Sequence, residues 1–119
     1  MRMPPEPLHI EVVGGTPAGH RVLRLMGPIL ISNFFEFQSL VRSSTSPTLI
    51  LDLTQVPYID SARIRTLVGA YVTHQKEGRR LALAGATQRV RNALQVTRVE
   101  QFFPFYDNVP AAEAGSASA

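Results

Sequence analysis

The sequence contains no cysteine. A disulfide framework, a thiolate metal site and a cysteine nucleophile are therefore excluded. No window approaches the roughly 20 apolar residues that a membrane-spanning helix needs. The proline-rich first ten residues contain no apolar core of a signal peptide. We therefore expect a soluble cytoplasmic protein.

Lysine is almost absent, since Lys76 is the only one and arginine carries nearly all of the positive charge. The formal net charge is +3 over 119 residues. This is far below the dense basic stripe of a nucleic-acid-binding surface, so we expect a solvated basic face and no direct contact with nucleic acid. A chain of this length predicts one domain that folds without cross-links.

The stretch that carries the chemistry is residues 48–64. Its first six residues form a nearly unbroken β-branched and aliphatic run, which predicts a strand covered on both faces, and Pro57 ends the pairing. Asp60 and Ser61 are both favourable helix N-cap residues. A serine here lies at the positive end of the helix dipole, where backbone N–H groups can receive an anion. Apolar residues with helical spacing follow, at Ile64, Leu67, Val68, Tyr71 and Val72. Ser61 is therefore the leading functional candidate.

The residues before this stretch predict a hairpin and a helix. After a flexible segment over residues 1–7, apolar and polar side chains alternate as in an edge strand, and a glycine-rich turn at 14–19 leads to a second, antiparallel strand. The apolar residues of these strands are Leu8, Ile10 and Val12, then Val22, Leu23 and Leu25. Asn33 and Glu36 form a capping-box pattern for a first helix. Its apolar stripe is Phe34, Phe37, Leu40 and Val41.

The residues after the central strand predict a βαβ unit. A helix over 61–76 ends at Gly78, and a right-handed crossover places an apolar strand at 81–84 parallel to the central strand. Thr87 caps a third helix, whose inner residues are Val90, Ala93 and Leu94 and whose outer residues are Arg89, Arg91 and Arg98. Residues 102–106 predict a last short strand, and 108–119 predict one helical turn that frays. The predicted fold class is α/β.

The other ionisable residues form no catalytic pattern. Nucleophilic catalysis needs a base and an oxyanion site near Ser61, and the sequence identifies neither. His9, His20 and His74 lack metal-ligand spacing, and we expect each at the surface. Asp52, inside the apolar run, is expected to hydrogen-bond the backbone at a strand end or to face an open edge. We therefore expect no enzyme activity, no metal and no cofactor.

Three segments together resemble a STAS domain, the fold of bacterial anti-sigma factor antagonists. They are VPYIDSA at 56–62, GRRLALAG at 78–85 and VRNALQVTRVEQFF at 90–103. The similarity covers residues 8–107, which are expected to form a single domain with a short tail at 108–119. It implies a small mixed β-sheet with an N-terminal antiparallel hairpin and helices packed mainly on one face.

The resemblance also implies a role in transcription regulation by partner switching. An anti-sigma factor antagonist binds an anti-sigma factor and so releases a sigma factor. The typical partner is a serine kinase with a histidine-kinase-like ATPase fold, which phosphorylates the serine at the position of Ser61 and ends the contact, and a serine phosphatase resets the switch. The residues expected to contact the partner are Asp60, Ser61, Ala62, Arg63 and Arg65.

Three arginines occupy positions at which this family usually has glycine. Arg63 and Arg65 follow the Asp-Ser pair, where an arginine adds bulk and a fixed cation beside the acceptor hydroxyl. Arg63 is able to pair either with a phosphate on Ser61 or with Asp60. Arg98 lies at the bend within the last helix, where the sequence alone gives no interpretation.

Three other interpretations remain open. Ser61 can be an N-cap residue only, which contributes about 1 kcal/mol and needs no further function. The domain can belong to a stressosome-like scaffold or a lipid-transport ATPase complex without serine phosphorylation. It can also bind a small anion or nucleotide at the helix N-terminus, with Arg63 or Arg65 as the cation. A monomer is slightly favoured over a homodimer.

Overall fold

The computed structural model describes residues 9–14, 20–29, 34–43 and 46–117. The predicted flexible segment at 1–7 and the predicted cap at Asn33 lie outside these residues. The strands are β1 (His9–Gly14), β2 (His20–Met26), β3 (Thr48–Gln55), β4 (Arg80–Ala84) and β5 (Phe105–Tyr106). The helices are α1 (Phe34–Ser43), α2 (Ser61–Lys76), α3 (Gln88–Val96) and α4 (Val109–Ala117), with a 3-10 helix at Glu100–Phe102.

The five strands form one mixed sheet in the order β1-β2-β3-β4-β5. The first pair is antiparallel, as the hairpin pattern predicts, and the other three pairs are parallel. Helix α2 connects the parallel neighbours β3 and β4, so the predicted βαβ unit is confirmed. The carboxyl ends of β3 and β4 therefore lie side by side at one edge of the sheet.

Strand β3 is the centre of the core. Its first six residues are buried and its last two are exposed, so the strand is covered on both faces and ends two residues later than the apolar run. On one face, α1, α2 and α3 enclose the main apolar cluster, in which the largest side chains are the buried Phe37 and Phe103. The predicted α/β class with a mixed sheet is thus confirmed.

Helix α4 covers the opposite face of the sheet, and here the prediction of one frayed turn was wrong. Ala112 is fully buried and packs in a second cluster with Val22, Ile50, Ala82 and Ala84. The Asn108 side-chain oxygen accepts the Ala111 N–H at 2.8 Å and so starts the helix. Small side chains let the helix lie close to the sheet, and this contact buries Ala112. The tail has no apolar stripe, so its sequence does not indicate this burial.

Two smaller predictions also need correction. His74 was expected at the surface, but it is only 2% exposed because it continues the inner face of α2. Its Nδ1 lies 2.9 Å from the Ala70 carbonyl oxygen one turn earlier, which partners that nitrogen within the helix. The last strand was expected over residues 102–106, but it comprises only Phe105–Tyr106.

Candidate functional site

The loop between β3 and α2 is held by backbone contacts to the segment after β2. Ile29 pairs with Ile59 in an isolated parallel bridge. The Ile29 N–H donates to the Tyr58 carbonyl at 2.9 Å, and the Asp60 N–H donates to the Ile29 carbonyl at 3.3 Å. Ile29 is buried, and so are Val56 and Ile59 of the loop itself. The backbone just before α2 is therefore fixed to the core by its hydrogen bonds with Ile29.

Asp60, and not Ser61, caps helix α2. Asp60 has extended backbone angles, φ −79° and ψ 161°, and its Oδ1 accepts the Arg63 N–H at 2.8 Å. Ser61 is the first helical residue, and its side chain is exposed. Its hydroxyl makes no hydrogen bond to any residue that the structure describes. The interpretation of Ser61 as a cap residue only is therefore wrong.

Arg63 lies against the same carboxylate. Its Nε is 3.6 Å from Asp60 Oδ1, and the two side chains are 19% and 29% exposed. Of the two partners that the sequence allows for Arg63, the structure places Asp60 beside it. Ala62 and Arg65 are exposed on the outer side of α2. The predicted site residues thus form two groups, the pair Asp60 and Arg63 within the turn and the exposed Ser61, Ala62 and Arg65.

The neighbouring loop between β4 and α3 completes this edge of the sheet. Thr87 caps α3, because its Oγ1 accepts the Val90 N–H at 3.3 Å. Arg89, in the first turn of α3, places its guanidinium carbon 5.1 Å from the centre of the Tyr58 ring. Both side chains are exposed, which makes this cation–π contact a bridge between the two loops.

Tyr58 and Arg89 were not predicted as site residues. They are 31 positions apart, and only the strand order brings their loops together. The sequence feature that could have indicated this contact is the predicted parallel pairing of β3 and β4, because the loops after parallel neighbouring strands lie at the same edge of the sheet.

A comparison with known protein families covers most of the chain. A family model described as the STAS domain matches residues 10–112. The chain belongs to the STAS domain family.

Solved structures similar to this STAS domain include an anti-sigma factor antagonist from Mycobacterium paratuberculosis. It is 18% identical, the match covers 91% of this chain and 92% of that chain, and the TM-score is 0.77. The anti-sigma factor antagonist SpoIIAA in its unphosphorylated form is 13% identical, with 92% and 97% coverage and a TM-score of 0.72. At these identities the comparisons show the fold, and they confirm the predicted STAS architecture.

The same fold also occurs within a much longer protein. The murine Solute Carrier 26 family member A9 anion transporter, in its inward-facing state, is 20% identical, and the match covers 87% of this chain but 18% of the transporter chain, with a TM-score of 0.75. In the part of this STAS domain that the structure describes, no helix is long and apolar enough to cross a membrane.

Asp52 makes hydrogen bonds and an ion pair within the sheet of this STAS domain. Its carboxylate is buried and accepts hydrogen bonds from the Thr54 backbone N–H at 3.1 Å and the Thr54 hydroxyl at 2.6 Å. The predicted backbone hydrogen bond near a strand end is therefore confirmed. Arg24 lies 3.5 Å from Asp52 and 3.2 Å from Glu11, so it links the three strands by charge.

A cavity between two helices of the described residues does not adjoin Ser61. It has a volume of about 380 Å³ and lies between α1 and α2. Its lining includes Phe37, Gly69 and His74, but none of the predicted site residues at positions 60–65. The cleft that a small-ligand site at Ser61 requires is therefore not provided by this cavity.

Proposed function

We propose that this STAS domain is an anti-sigma factor antagonist that binds an anti-sigma factor kinase, releases a sigma factor and is switched off by phosphorylation of Ser61. The observation that carries this proposal is the exposed Ser61 hydroxyl at the first position of α2, left free because Asp60 caps the helix. The similarity of fold to anti-sigma factor antagonists supports the class of partner.

The surface around Ser61 suits a protein partner. We define the docking face as the exposed side chains Tyr58, Ser61, Ala62, Arg65 and Arg89. It combines an aromatic ring, two small side chains and two cations, and tyrosine and arginine are among the residue types enriched where binding energy is concentrated. The face therefore fits a partner that offers carboxylates around an apolar contact for Tyr58.

Asp60 and Arg63 hold the turn that carries Ser61 of the docking face. The Asp60 carboxylate holds the first turn of α2 through the Arg63 N–H, and the two charges lie close together. In this proposal they keep Ser61 in one position for both the kinase and the bound state. A partner that has to order fewer groups on binding loses less entropy.

Phosphorylation of Ser61 would act on the docking face and not on the fold. A phosphoryl group adds about −1.5 to −2 charges and three acceptor oxygens. Buried against a partner, this charge would lose its hydration and face partner groups selected for a neutral hydroxyl. The β3–α2 loop is already fixed by Ile29 and Ile59, so we expect the modified protein to remain folded while it loses its partner.

The proposal assigns no catalytic activity to this chain. The carboxylate adjacent to Ser61 in sequence is that of the N-cap residue Asp60, which accepts the Arg63 N–H, and in this proposal it has a capping role and is not a base. The kinase activity belongs to the anti-sigma factor, and a separate serine phosphatase restores the hydroxyl. The proposed place of action is the cytoplasm, where sigma factors bind polymerase.

The test is a pull-down from lysate of the native host with the wild-type domain, Ser61→Ala and Ser61→Asp in parallel. We expect the wild type and Ser61→Ala to recover an ATPase of the histidine-kinase-like fold and Ser61→Asp to recover at least tenfold less. Mass spectrometry of the wild type should find phosphate on Ser61.

The matched control is Ser39→Asp, which places the same charge at an exposed position of α1 outside the docking face. It should bind like the wild type. Equal recovery of the ATPase by Ser61→Asp and wild type would contradict the proposal.

A second candidate function follows from the similarity to a domain of the anion transporter. That match shows the same fold as a module of a larger protein. In a stressosome-like scaffold or a lipid-transport complex, Ser61 would stay unmodified. Recovery of one common multi-protein complex by the wild type and Ser61→Asp would support this alternative.

A further inference from the structure

The outer side of α2 brings Ser61 together with Arg65. The inner residues Ile64 and Leu67 are buried, whereas Ser61 and Arg65 are exposed. Residues four apart on a helix are neighbours, with Cβ atoms about 5–6 Å apart. The Arg65 guanidinium can therefore reach any group attached to the Ser61 hydroxyl.

The cation nearest in sequence, Arg63, is already placed elsewhere. Its Nε lies 3.6 Å from the Asp60 carboxylate, and its side chain is mostly buried in the turn. Arg65 differs, because no carboxylate of the described residues lies within ion-pair distance of it. Arg65 is thus the exposed cation one turn along from Ser61 on the same side of the helix.

We propose that Arg65 is the intramolecular counter-ion of a phosphate on Ser61, an inference that rests on the proposed function of Ser61 as the phosphorylated residue. The pair has the favourable order, with the anion nearer the N-terminus of the helix and the cation four residues later. A guanidinium also donates two parallel hydrogen bonds to phosphate oxygens. Arg63 remains with Asp60 and acts as a positioning residue for the loop.

This pairing changes what phosphorylation does to the docking face. In the unmodified protein, Arg65 is an exposed cation available to a carboxylate of the partner. After phosphorylation it turns to the phosphate of its own chain, so the partner meets a new anion and also loses a cation. One modification therefore removes an attraction and adds a repulsion.

The experiment incorporates phosphoserine at position 61 during synthesis and follows the phosphate by ³¹P NMR across a pH titration. A phosphoserine loses its second proton with a pKa of about 6. A nearby cation favours the dianion, so Arg65→Gln should raise this phosphate pKa by a few tenths of a unit. Arg65→Lys should restore most of the difference, and salt should reduce it.

The matched control is Lys76→Gln, which removes a cation from the same helix. Lys76 is exposed and lies about 22 Å along the helix from Ser61, beyond the reach of screened charges. It should leave the phosphate pKa unchanged. Other charged groups at this end of α2 are Asp60 and Arg63, and Arg89 lies over Tyr58 of the same loop, so Arg63→Gln and Arg89→Gln are titrated as well.

An unchanged phosphate pKa in Arg65→Gln, or a larger shift in Arg63→Gln, would overturn the proposed pairing. Because phosphoserine is installed without the kinase, this result is independent of whether the native host modifies Ser61. Absence of phosphate on Ser61 in the host would instead refute the proposed function while the titration still decides the role of Arg65.

Discussion

At the scale of single residues, the site depends on which side chain caps α2. Both Asp60 and Ser61 suit an N-cap, and the structure assigns the cap to Asp60 through a 2.8 Å hydrogen bond from the Arg63 N–H. The sequence alone does not tell which of the two residues is the cap and which keeps an exposed side chain, and this hydrogen bond decides it. Asp60 starts the helix, and Ser61 keeps a free hydroxyl at its first turn.

We expect Asp60→Ala to lower the free energy of unfolding by about 1–2 kcal/mol, because an uncapped N-terminus leaves its N–H groups without partners. Asp60→Asn keeps an acceptor oxygen and loses only a partly exposed ion pair with Arg63, which contributes little. It should therefore cost well under half as much. Urea unfolding measures both variants, and equal losses would show that the ion pair dominates over the cap.

Arg98 is a second residue whose meaning emerges from backbone geometry. It has φ +60°, in the left-handed region that side chains disfavour. The Arg98 N–H bonds the Gln95 carbonyl and the Val99 N–H bonds the Leu94 carbonyl, both at 3.0 Å, which is the Schellman pattern that ends a helix. Glycine is preferred at this position because it has no Cβ. The family preference that the sequence alone did not explain therefore has a backbone cause.

We expect Arg98→Gly to raise the free energy of unfolding by about 0.5–1 kcal/mol, because glycine adopts the left-handed conformation without the strain that a Cβ causes. Arg98→Ala keeps a Cβ and should give no comparable gain, which controls for loss of the arginine charge. Thermal and urea unfolding of the three proteins measure the difference. A gain of equal size in Arg98→Ala would assign the effect to charge and not to backbone strain.

At the scale of elements, two glycines within helices have opposite surroundings. A Cβ added to Gly69 in α2 would meet no atom within 4 Å, whereas one added to Gly115 in α4 would overlap the ring of Tyr106. Gly115 therefore lets α4 lie against the sheet beside the buried Ala112. Replacing glycine by alanine should therefore change the free energy of unfolding in opposite directions in the two helices.

We expect Gly69→Ala to stabilise the protein by about 0.5–1 kcal/mol, the usual gain in helix propensity at an unobstructed site. Gly115→Ala should lose that gain and destabilise by about 1 kcal/mol or more, because α4 or Tyr106 has to shift. Urea unfolding of both variants checks the signs. A stabilised Gly115→Ala would mean that α4 has room to move away from Tyr106 at little cost.

At the scale of the whole molecule, the parts that were predicted correctly are those with strong local patterns. The apolar run of β3 and the helical spacing of α2 specify a βαβ unit within one short stretch. The contact of Arg89 with Tyr58 could not be predicted in the same way, because it joins two loops through the strand order. His74 shows an intermediate case, since helical spacing places it on the inner face of α2 and only its polarity indicated the surface.

The tail was mispredicted for a different physical reason. Its alanine, glycine and serine residues form no apolar stripe. Ala112 is buried because it packs against the second face of the sheet. Ser61 is the leading candidate because it lies at the N-terminus of a predicted helix, and the family resemblance adds the Asp-Ser pair to that argument. The identity of the capping residue needed backbone angles and a hydrogen bond.

The two covered faces of the sheet lead to a prediction about where the domain ends. The sequence predicts a domain over residues 8–107, yet α4 covers Val22, Ile50, Ala82 and Ala84 from beyond that limit. A chain that ends at residue 107 would expose this apolar patch to water. At roughly 25 cal/mol per Å² of apolar surface, uncovering on the order of 100 Å² costs about 2.5 kcal/mol.

We therefore expect the chain ending at residue 107 to unfold at least about 2 kcal/mol more easily than the full chain and to bind an apolar dye. A chain ending at residue 117 keeps all of α4 and should match the full chain, which controls for truncation itself. The loss should appear in urea unfolding and dye fluorescence together, because both report the same uncovered face. Unchanged unfolding with residue 107 as the last residue would instead place the end of the domain where the sequence predicts it and make α4 an accessory helix.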